Sequence, residues 1–165
     1  MATAGLIQAA RAAGAVSQAQ ARSRDTARLW AAVLAEVPIF SHVSARHVRK
    51  IAALGTIARF EPGSTILGAG RAGDAFYVIL DGKGSVIRRR GLPNVSIATG
   101  GYFGEMALFD DAPRSATVVA DTELTCLRLG RNAFLKLLRD EPSVSLALLR
   151  SLADRVRKLQ SAPTE

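Results

Sequence analysis

Apolar residues recur three and four positions apart near both ends of the chain, a spacing typical of helices with one buried face. Toward the N-terminus this spacing predicts one helix from Asp25 to Val37 and another from Ser44 to Gly55, with Ser44 as the N-cap. Toward the C-terminus it predicts a short helix over 132–140 and a long helix over 142–160. Helices are therefore expected on both sides of whatever the middle of the chain forms.

The middle of the chain has a different pattern, because its apolar runs are short and are separated by turns such as Glu61-Pro62-Gly63. These runs predict seven strands, at 56–60, 64–70, 75–80, 84–90, 94–100, 115–121 and 123–129. Short strands at this spacing are typical of an antiparallel sandwich or a jelly-roll barrel. The predicted fold class is therefore mainly β with flanking helices (α+β).

The predicted elements divide the chain into four segments. An alanine-rich extension covers 1–24, N-terminal helices cover 25–55, a β jelly roll covers 56–130 and C-terminal helices cover 131–165. The long helix of the last segment carries apolar residues along one face, among them Leu146, Leu149 and Val156. That face is expected to pack either on the barrel or on a second copy of the chain, so a homodimer stays open.

Composition and charge fit a folded domain with basic ends. Apolar residues make up 48% of the chain and no run of eighteen of them exists, so no transmembrane segment is expected. The single cysteine, Cys126, allows no intramolecular disulfide and favours a cytoplasmic location. Residues 1–60 carry eight basic and two acidic side chains, and residues 128–165 carry eight and four. Such ends leave open a contact with nucleic acid, an anionic membrane or an acidic protein.

No combination of residues typical of catalysis stands out. His42 and His47 lie near a predicted helix start, with no cysteine or carboxylate at metal-ligand spacing. The serines and threonines of the middle segment have no histidine beside them that would activate a nucleophile. The sequence therefore predicts neither an enzyme nor a metal site.

One stretch interrupts the strand pattern, namely FGEMALFDDAPRSATV at 103–118. Residues 104–108 predict a single helical turn, whose first N–H groups are free to bind an anion such as a phosphate. Gly104 would let that ligand approach the backbone closely. Arg114 can offer its planar fork to phosphate oxygens, and Ser115 can add a hydroxyl. The carboxylate of Glu105 only accepts hydrogen bonds, so it would face a ligand hydroxyl.

This stretch resembles the phosphate-binding cassette of the cyclic nucleotide-binding domain family. EPGSTILGAGRAGDAFYVILDGKGSVI at 61–87 resembles the glycine-punctuated strands that precede the cassette, and TGGYFGE at 99–105 resembles the turn that leads into it. The resemblance extends over about 38–160. It implies an eight-stranded jelly roll (a double-stranded β-helix) between helices, with a cyclic nucleotide bound between the barrel wall and the cassette.

The resemblance also implies roles for individual residues. Glu105 would accept the ribose 2′-OH, and Arg114 would neutralise the cyclic phosphate. The surrounding backbone N–H donors would belong to Gly104, Met106, Ala107 and Ala116. Ser115 occupies a position at which threonine favours cGMP in several members. We nonetheless expect cAMP, because bacterial cAMP regulators with the same Arg-Ser-Ala tripeptide are similar here, and we expect no metal.

Contacts to the base are less well defined by the resemblance. Val95 and Ile97, on the strand before the cassette, are candidates to touch the base. The last helix covers the base in many members, so Arg150, Asp154 and Arg155 are candidates for the lid. The sequence does not choose among these three.

The resemblance implies a regulatory module, which passes ligand binding through its C-terminal helix to an unidentified partner protein or a larger complex. No helix-turn-helix follows the last helix, so sequence-specific DNA binding is not expected. Two alternatives stay open: an interaction scaffold that has kept the fold but not the ligand, and a basic module that contacts nucleic acid or an anionic membrane.

Overall fold

A computed structural model describes residues 24–88 and 93–161 of the chain. Most of the predicted N-terminal extension and the end of the fourth predicted strand lie outside these ranges. Helix α1 spans Arg24–Ala35, a 3-10 helix spans Pro38–Phe40 and α2 spans Ala45–Ala52; after the strands, α3 spans Arg131–Asp140 and α4 spans Pro142–Ser161. The predicted N-cap of α2 is confirmed, since the Ser44 hydroxyl accepts a hydrogen bond from the His47 backbone N–H.

Eight strands build the barrel between these helices. They are β1 Gly55–Phe60, β2 Thr65–Leu67, β3 Ala75–Asp81, β4 Lys83–Ile87, β5 Val95–Ala98, β6 Tyr102–Phe103, β7 Thr117–Ala120 and β8 Leu124–Gly130. They form two antiparallel sheets, with strand orders β1-β8-β3-β6 and β2-β7-β4-β5. The predicted jelly roll is confirmed. The sequence pattern misses β6, because a strand of two residues is too short to show alternation.

Strand β3 is buried on both of its faces, and this links the two cores of the molecule. Phe76, Val78 and Leu80 pack against the helices. The alternate residues Ala75, Tyr77 and Ile79 lie between the two sheets. Side chains of a strand alternate between its faces, so a single strand supports both cores. The site described below is attached to the first residue of this strand.

Cys126 lies in the core between the two sheets, as expected of a small buried apolar residue. Burial raises the pKa of its thiol to about 12. The thiol therefore stays protonated and unreactive at neutral pH.

Helix α4 docks on the segment that follows α1, and not through the face that the sequence singled out. The buried side chains of this helix include Val144, Leu148 and Ser151, whose hydroxyl accepts a hydrogen bond of 3.2 Å from the His42 backbone N–H. The predicted apolar face, with Leu146 at 53% exposure, stays uncovered. Of the two alternatives for this face, packing on the barrel does not hold for these exposed residues, and packing on a second copy is untested.

Both histidines of the chain connect the N-terminal helices to the C-terminal helices. His42 Nε2 lies 2.5 Å from Asp154 Oδ2 on α4. His47 Nε2 lies 3.3 Å from Oε2 of Glu141, between α3 and α4, and Lys50 pairs with the same carboxylate. These contacts join residues about a hundred positions apart in sequence. They hold the last two helices against the first two.

We predict that alanine is tolerated far less at Gly82 than at Gly63. Both glycines have left-handed backbone, with φ of +99° and +81°. An added Cβ at Gly82 would lie 2.3 Å from the Glu123 carbonyl oxygen, whereas nothing lies within 4 Å at Gly63. Gly63→Ala should cost about 1–2 kcal/mol of unfolding free energy. Gly82→Ala should cost about 1–3 kcal/mol more. Urea denaturation measures both, and equal losses would contradict this account of the turn.

Candidate functional site

The stretch from β6 to β7 is organised by one glycine and a short helical turn. Gly104 follows β6 with φ of +78°, a conformation that favours glycine. A 3-10 turn then spans Glu105–Leu108, which confirms the predicted helical turn. The chain continues as an irregular loop until β7 begins at Thr117.

Arg114, in that loop, turns its guanidinium into the protein. The residue is only 9% exposed. Its Nη1 donates to the Gly104 carbonyl oxygen at 3.0 Å, and its Nη2 donates to the Ala75 carbonyl oxygen at 2.7 Å. A Cβ added to Gly104 would lie 2.7 Å from Arg114 Nη1. The left-handed backbone and this close approach of the protein's own arginine both favour glycine here, and the sequence did not reveal the second reason.

The charge of Arg114 is left without full compensation. Within the described residues its hydrogen bonds go to neutral carbonyl oxygens, and its buried Nε has no hydrogen-bond partner there. Burial lowers the pKa of Arg114 below its ordinary value, while Tyr77, Asp74 and Glu105 oppose that shift. An anion reaching this group would therefore recover electrostatic energy that burial has cost.

The backbone of Arg114 is held by a second segment, the turn after β2. The Arg114 N–H donates to the Arg71 carbonyl oxygen at 2.8 Å, and the Gly70 N–H donates to the Arg114 carbonyl oxygen at 2.8 Å. The Ala69 N–H donates to Thr117 Oγ1 at 3.1 Å. Both the side chain and the backbone of the arginine are thus fixed, which is the preorganisation that a binding site needs.

A cavity of about 470 Å³ lies beside this arginine. Its volume falls within the range of about 300–1,000 Å³ that is common for small-molecule sites. Its walls are mostly apolar, with contributions from Leu67, Val86 and Val118. Its polar side chains include Arg88, Glu105, Asp110, Arg114 and Ser115. A mainly apolar wall with a few converging polar groups is typical of a nucleotide-sized ligand site.

Most residues predicted for the site line this one cavity. They are Gly104, Glu105, Met106, Arg114, Ser115 and Ala116. Ala107 lies in the same 3-10 turn. The structure therefore brings the cassette residues together, while their individual contacts to a ligand stay predictions.

Val95 and Ile97 lie on β5, opposite Val86 and Gly84 of β4. Directly opposed residues share a face of the sheet, so these two point to the same side as Val86. They are nevertheless not among the residues that line the cavity, whereas Val86 and Arg88 are. Sequence reasoning missed Val86 and Arg88. The pattern that could have indicated them is the alternation along β4, which places residues 86 and 88 on one face of the strand.

Of the candidates for a lid, Arg150 and Asp154 are not among the described residues that line the cavity. Asp154 instead pairs with His42 and with Arg157, whose Nη1 lies 2.6 Å from its Oδ1. Arg150 is exposed on α4, and the side chain of Arg155 is outside the described residues. The contact of the last helix with a base stays a prediction.

The cassette also touches the C-terminal helices. Leu108, the last residue of the 3-10 turn, is fully buried in the helical core. Phe109 packs edge-on against Phe134 of α3, with ring centroids 6.0 Å apart. Asp111 Oδ1 lies 2.5 Å from Nη1 of Arg131, the first residue of α3. A movement of the cassette would therefore change these contacts and act directly on α3.

Fold and cassette together define the class of protein. The chain belongs to the cyclic nucleotide-binding domain family, whose model matches residues 57–141, just over half of the chain. The resemblance seen in the sequence is thereby confirmed.

The curated proteins that resemble this chain include regulatory subunits of a protein kinase. A cAMP-dependent protein kinase regulatory subunit from Aspergillus niger is 40% identical over 113 residues, which cover 67% of this chain and 27% of that protein. The chain thus spans about a quarter of this curated relative. That relative is fungal, so the likeness to bacterial regulators seen in the Arg-Ser-Ala tripeptide does not establish a bacterial protein.

Solved structures show the same architecture. The N-terminal domain of a transcriptional regulator from Streptomyces coelicolor is 32% identical with a TM-score of 0.69, and the match covers 81% of this chain and 95% of that one. The regulatory domain of Toxoplasma gondii PKA, crystallised with cAMP, is 27% identical with a TM-score of 0.64, and the match covers 84% of this chain and 53% of that one.

Residues 24–88 and 93–161 show neither a membrane-spanning helix nor a cluster of metal ligands. No helix in these ranges combines the length and the apolar character that crossing a bilayer requires. The same ranges hold no group of three or more His, Cys, Asp or Glu residues placed to bind a metal ion.

We predict that Arg114 stabilises the ligand-free protein, whereas Arg88 does not. Arg114→Ala leaves the carbonyl oxygens of Ala75 and Gly104 without their donor, which should lower the unfolding free energy by about 1–3 kcal/mol. Arg88 is exposed in the same cavity, so Arg88→Ala should change stability by less than about 0.5 kcal/mol. Thermal or urea unfolding compares the two variants. Equal stabilities would show that the buried hydrogen bonds contribute nothing.

Proposed function

We propose that this chain binds a cyclic mononucleotide, cAMP, in the cavity beside Arg114 and relays the binding to a partner protein through α3 and α4. The observation that carries the proposal is the guanidinium of Arg114, a residue that lines a nucleotide-sized cavity. The guanidinium is buried and held in place, and its Nε has no hydrogen-bond partner among the described residues. Burial without a paired anion is costly unless a ligand supplies one.

The cyclic phosphate is the group that suits this arginine. It carries one negative charge and offers two oxygens outside its ring, which fit the fork of a guanidinium. Glu105 lines the same cavity and supplies an acceptor for the ribose 2′-OH. The N–H groups of the 3-10 turn, including those of Met106 and Ala107, complete the donors that we expect around the sugar phosphate.

Adenine is our choice of base. The name of the Aspergillus niger relative contains cAMP, and the Toxoplasma gondii domain was crystallised with cAMP. Ser115 and Arg88 both line the cavity, however, and both can donate to the O6 and N7 acceptors of guanine. We therefore expect cAMP to bind more tightly than cGMP, with Val86, which lines the cavity, as a wall of the base site.

The relay begins at the contacts between the cassette and α3. A ligand that draws the cassette toward its phosphate would displace Phe109 and Asp111, and with them Phe134 and Arg131. Phe134 in turn packs against Phe40, and the 3-10 helix that contains Phe40 contacts α4. Ligand binding can shift α4 only if the ligand has different affinities for the two helix positions.

A regulatory rather than a catalytic role is supported by the name of the curated relative, a kinase regulatory subunit. That relative is nearly four times longer than the matching part, so its assembly is only a guide to this chain. The partner protein is unidentified. The cytoplasmic location expected from the cysteine content stays a prediction.

We predict that calorimetric titration detects cAMP binding that depends on Arg114. Arg114→Lys keeps the positive charge but loses the planar fork, so affinity should fall at least about tenfold, which corresponds to about 1.4 kcal/mol. Glu105→Gln should lower the affinity for cAMP. It should lower the affinity for 2′-deoxy-cAMP much less, because only cAMP offers the 2′-OH. Arg46→Ala, at an exposed position on α2, is the matched control and should bind normally.

The same titrations decide between the proposal and its main alternative. No heat with cAMP, cGMP or cyclic dinucleotides, from variants shown to be folded, would favour a scaffold that has kept only the fold. Binding that Arg114→Lys leaves unchanged would place the ligand elsewhere.

We predict that cAMP changes amide hydrogen exchange in α3 and α4 as well as in the cassette. The contacts from Phe109 to Phe134 and from Asp111 to Arg131 carry the effect out of the cavity. Hydrogen-exchange mass spectrometry with and without cAMP measures it, with Arg114→Lys as the control that should show little change. An effect confined to the segments that line the cavity would contradict the relay.

A further inference from the structure

The exposed face of α4 carries an ordered apolar stripe. Leu146, Leu149 and Val156 are 53%, 62% and 53% exposed, and Ala153 is exposed between them. The steps between these four residues are three, four and three, which is the a/d spacing of a helix that packs on another helix. The opposite side of α4, around Val144, Leu148 and Ser151, is buried against the rest of the chain. We call these four residues the α4 stripe.

A row of positive charge borders this stripe. Arg150 and Arg157 follow Leu146 and Ala153 by four positions, so both lie along one edge of it. Both side chains are exposed. Over Pro142–Ser161 the helix carries four basic residues and one acidic residue, Asp154, which already pairs with His42 and Arg157. The stripe and its edge are therefore complementary to an apolar surface with acidic neighbours.

From this we propose that the α4 stripe docks a partner protein that presents an amphipathic helix with Asp or Glu beside its apolar face. Leu146 and Leu149 enter the seam between the two helices, and Arg150 pairs with an acidic residue at its edge. The surface lies outside the residues that line the cavity. A protein with such a helix would be the partner that receives the relay. Its docking on the α4 stripe does not depend on whether the cavity binds cAMP.

A second copy of the chain is a poorer occupant. It brings an equal excess of positive charge to the seam. An acidic partner adds attraction where a second copy adds repulsion.

An anionic membrane also suits this helix less well. Helices that lie in a membrane surface present a broad apolar face that often includes Trp or Phe. The α4 stripe is a narrow seam, and Pro142–Ser161 contains no aromatic residue. A narrow seam with a charged edge is the geometry of one helix packing on another.

The test uses the full chain and two labelled peptides. Each is a stapled helix of about fourteen residues with Leu at its a and d positions; one has Glu at e and g, and the other has Lys there. Fluorescence anisotropy should show that the Glu peptide binds at least about tenfold more tightly than the Lys peptide. Leu146→Ser/Leu149→Ser should weaken the Glu peptide at least about tenfold. Ile87→Ser, an equally apolar exposed position on β4, should not.

Arg150→Glu should reduce or reverse the preference for the Glu peptide over the Lys peptide. Raising the salt concentration should weaken the binding of the Glu peptide only. Failure of the Glu peptide to bind, or equal binding of both peptides, would overturn the proposal. A dimer detected by light scattering that Leu146→Ser/Leu149→Ser converts to a monomer would also overturn it. The same holds for co-flotation of the protein with phosphatidylserine vesicles that this double variant abolishes. A cAMP titration of the double variant, expected to be normal, separates failure of the surface from failure of the cavity.

Discussion

The guanidinium of Arg114 is the group on which the site depends. Its two hydrogen bonds to Ala75 and Gly104 join the first residue of β3 to the start of the cassette, two segments that are about thirty residues apart. The backbone of the same residue is held by the turn at Gly70 and Arg71. A charged group kept this far from water costs free energy. Its position is explained if the protein holds it ready for an anion, because a preorganised donor needs no rearrangement when the ligand arrives.

The arrangement of cores explains how such a site can communicate. Strand β3 contributes Phe76 to the core under the helices and Tyr77 to the core between the sheets. The cassette begins beside this strand, and it ends in contact with α3 through Phe109 and Asp111. Because packed interiors have few voids, a displaced side chain must be accommodated by its neighbours. The site and the helices are thus parts of one packed unit, although the cavity lies on the barrel side of it.

The sequence predicted the helices and strands well where they are long, since periodicity over many residues is hard to mimic. It missed β6, Tyr102–Phe103, which is fixed by pairing with β3 and not by a local pattern. The cassette residues that it singled out by the specific combination of Gly104, Glu105 and Arg114 lie around one cavity, and their roles toward a ligand stay predictions. It did not find Val86 and Arg88, because which strand borders a cavity depends on the closure of the barrel, a tertiary property.

Helix α4 shows the limit of periodicity most clearly. The spacing of Leu146, Leu149 and Val156 says that these residues share a face, but not whether anything covers it. The buried side of the helix includes Ser151, a polar residue whose hydroxyl bonds to the N-terminal segment and which no hydropathy pattern would select. The docked face combines this long-range hydrogen bond with the burial of Val144 and Leu148, and such tertiary contacts become visible only in three dimensions.

The central claim is that Arg114 is held in the barrel wall to receive the phosphate of a cyclic nucleotide. Nuclear magnetic resonance of the arginine Nε–H groups tests it directly, with the Arg114 signal assigned from Arg114→Lys. On addition of cAMP the account predicts a large shift of that one resonance and slower exchange of its proton with water, because Nε acquires the acceptor that it lacks. A saturating amount of bound cAMP that leaves the Arg114 Nε–H signal unchanged would contradict the account.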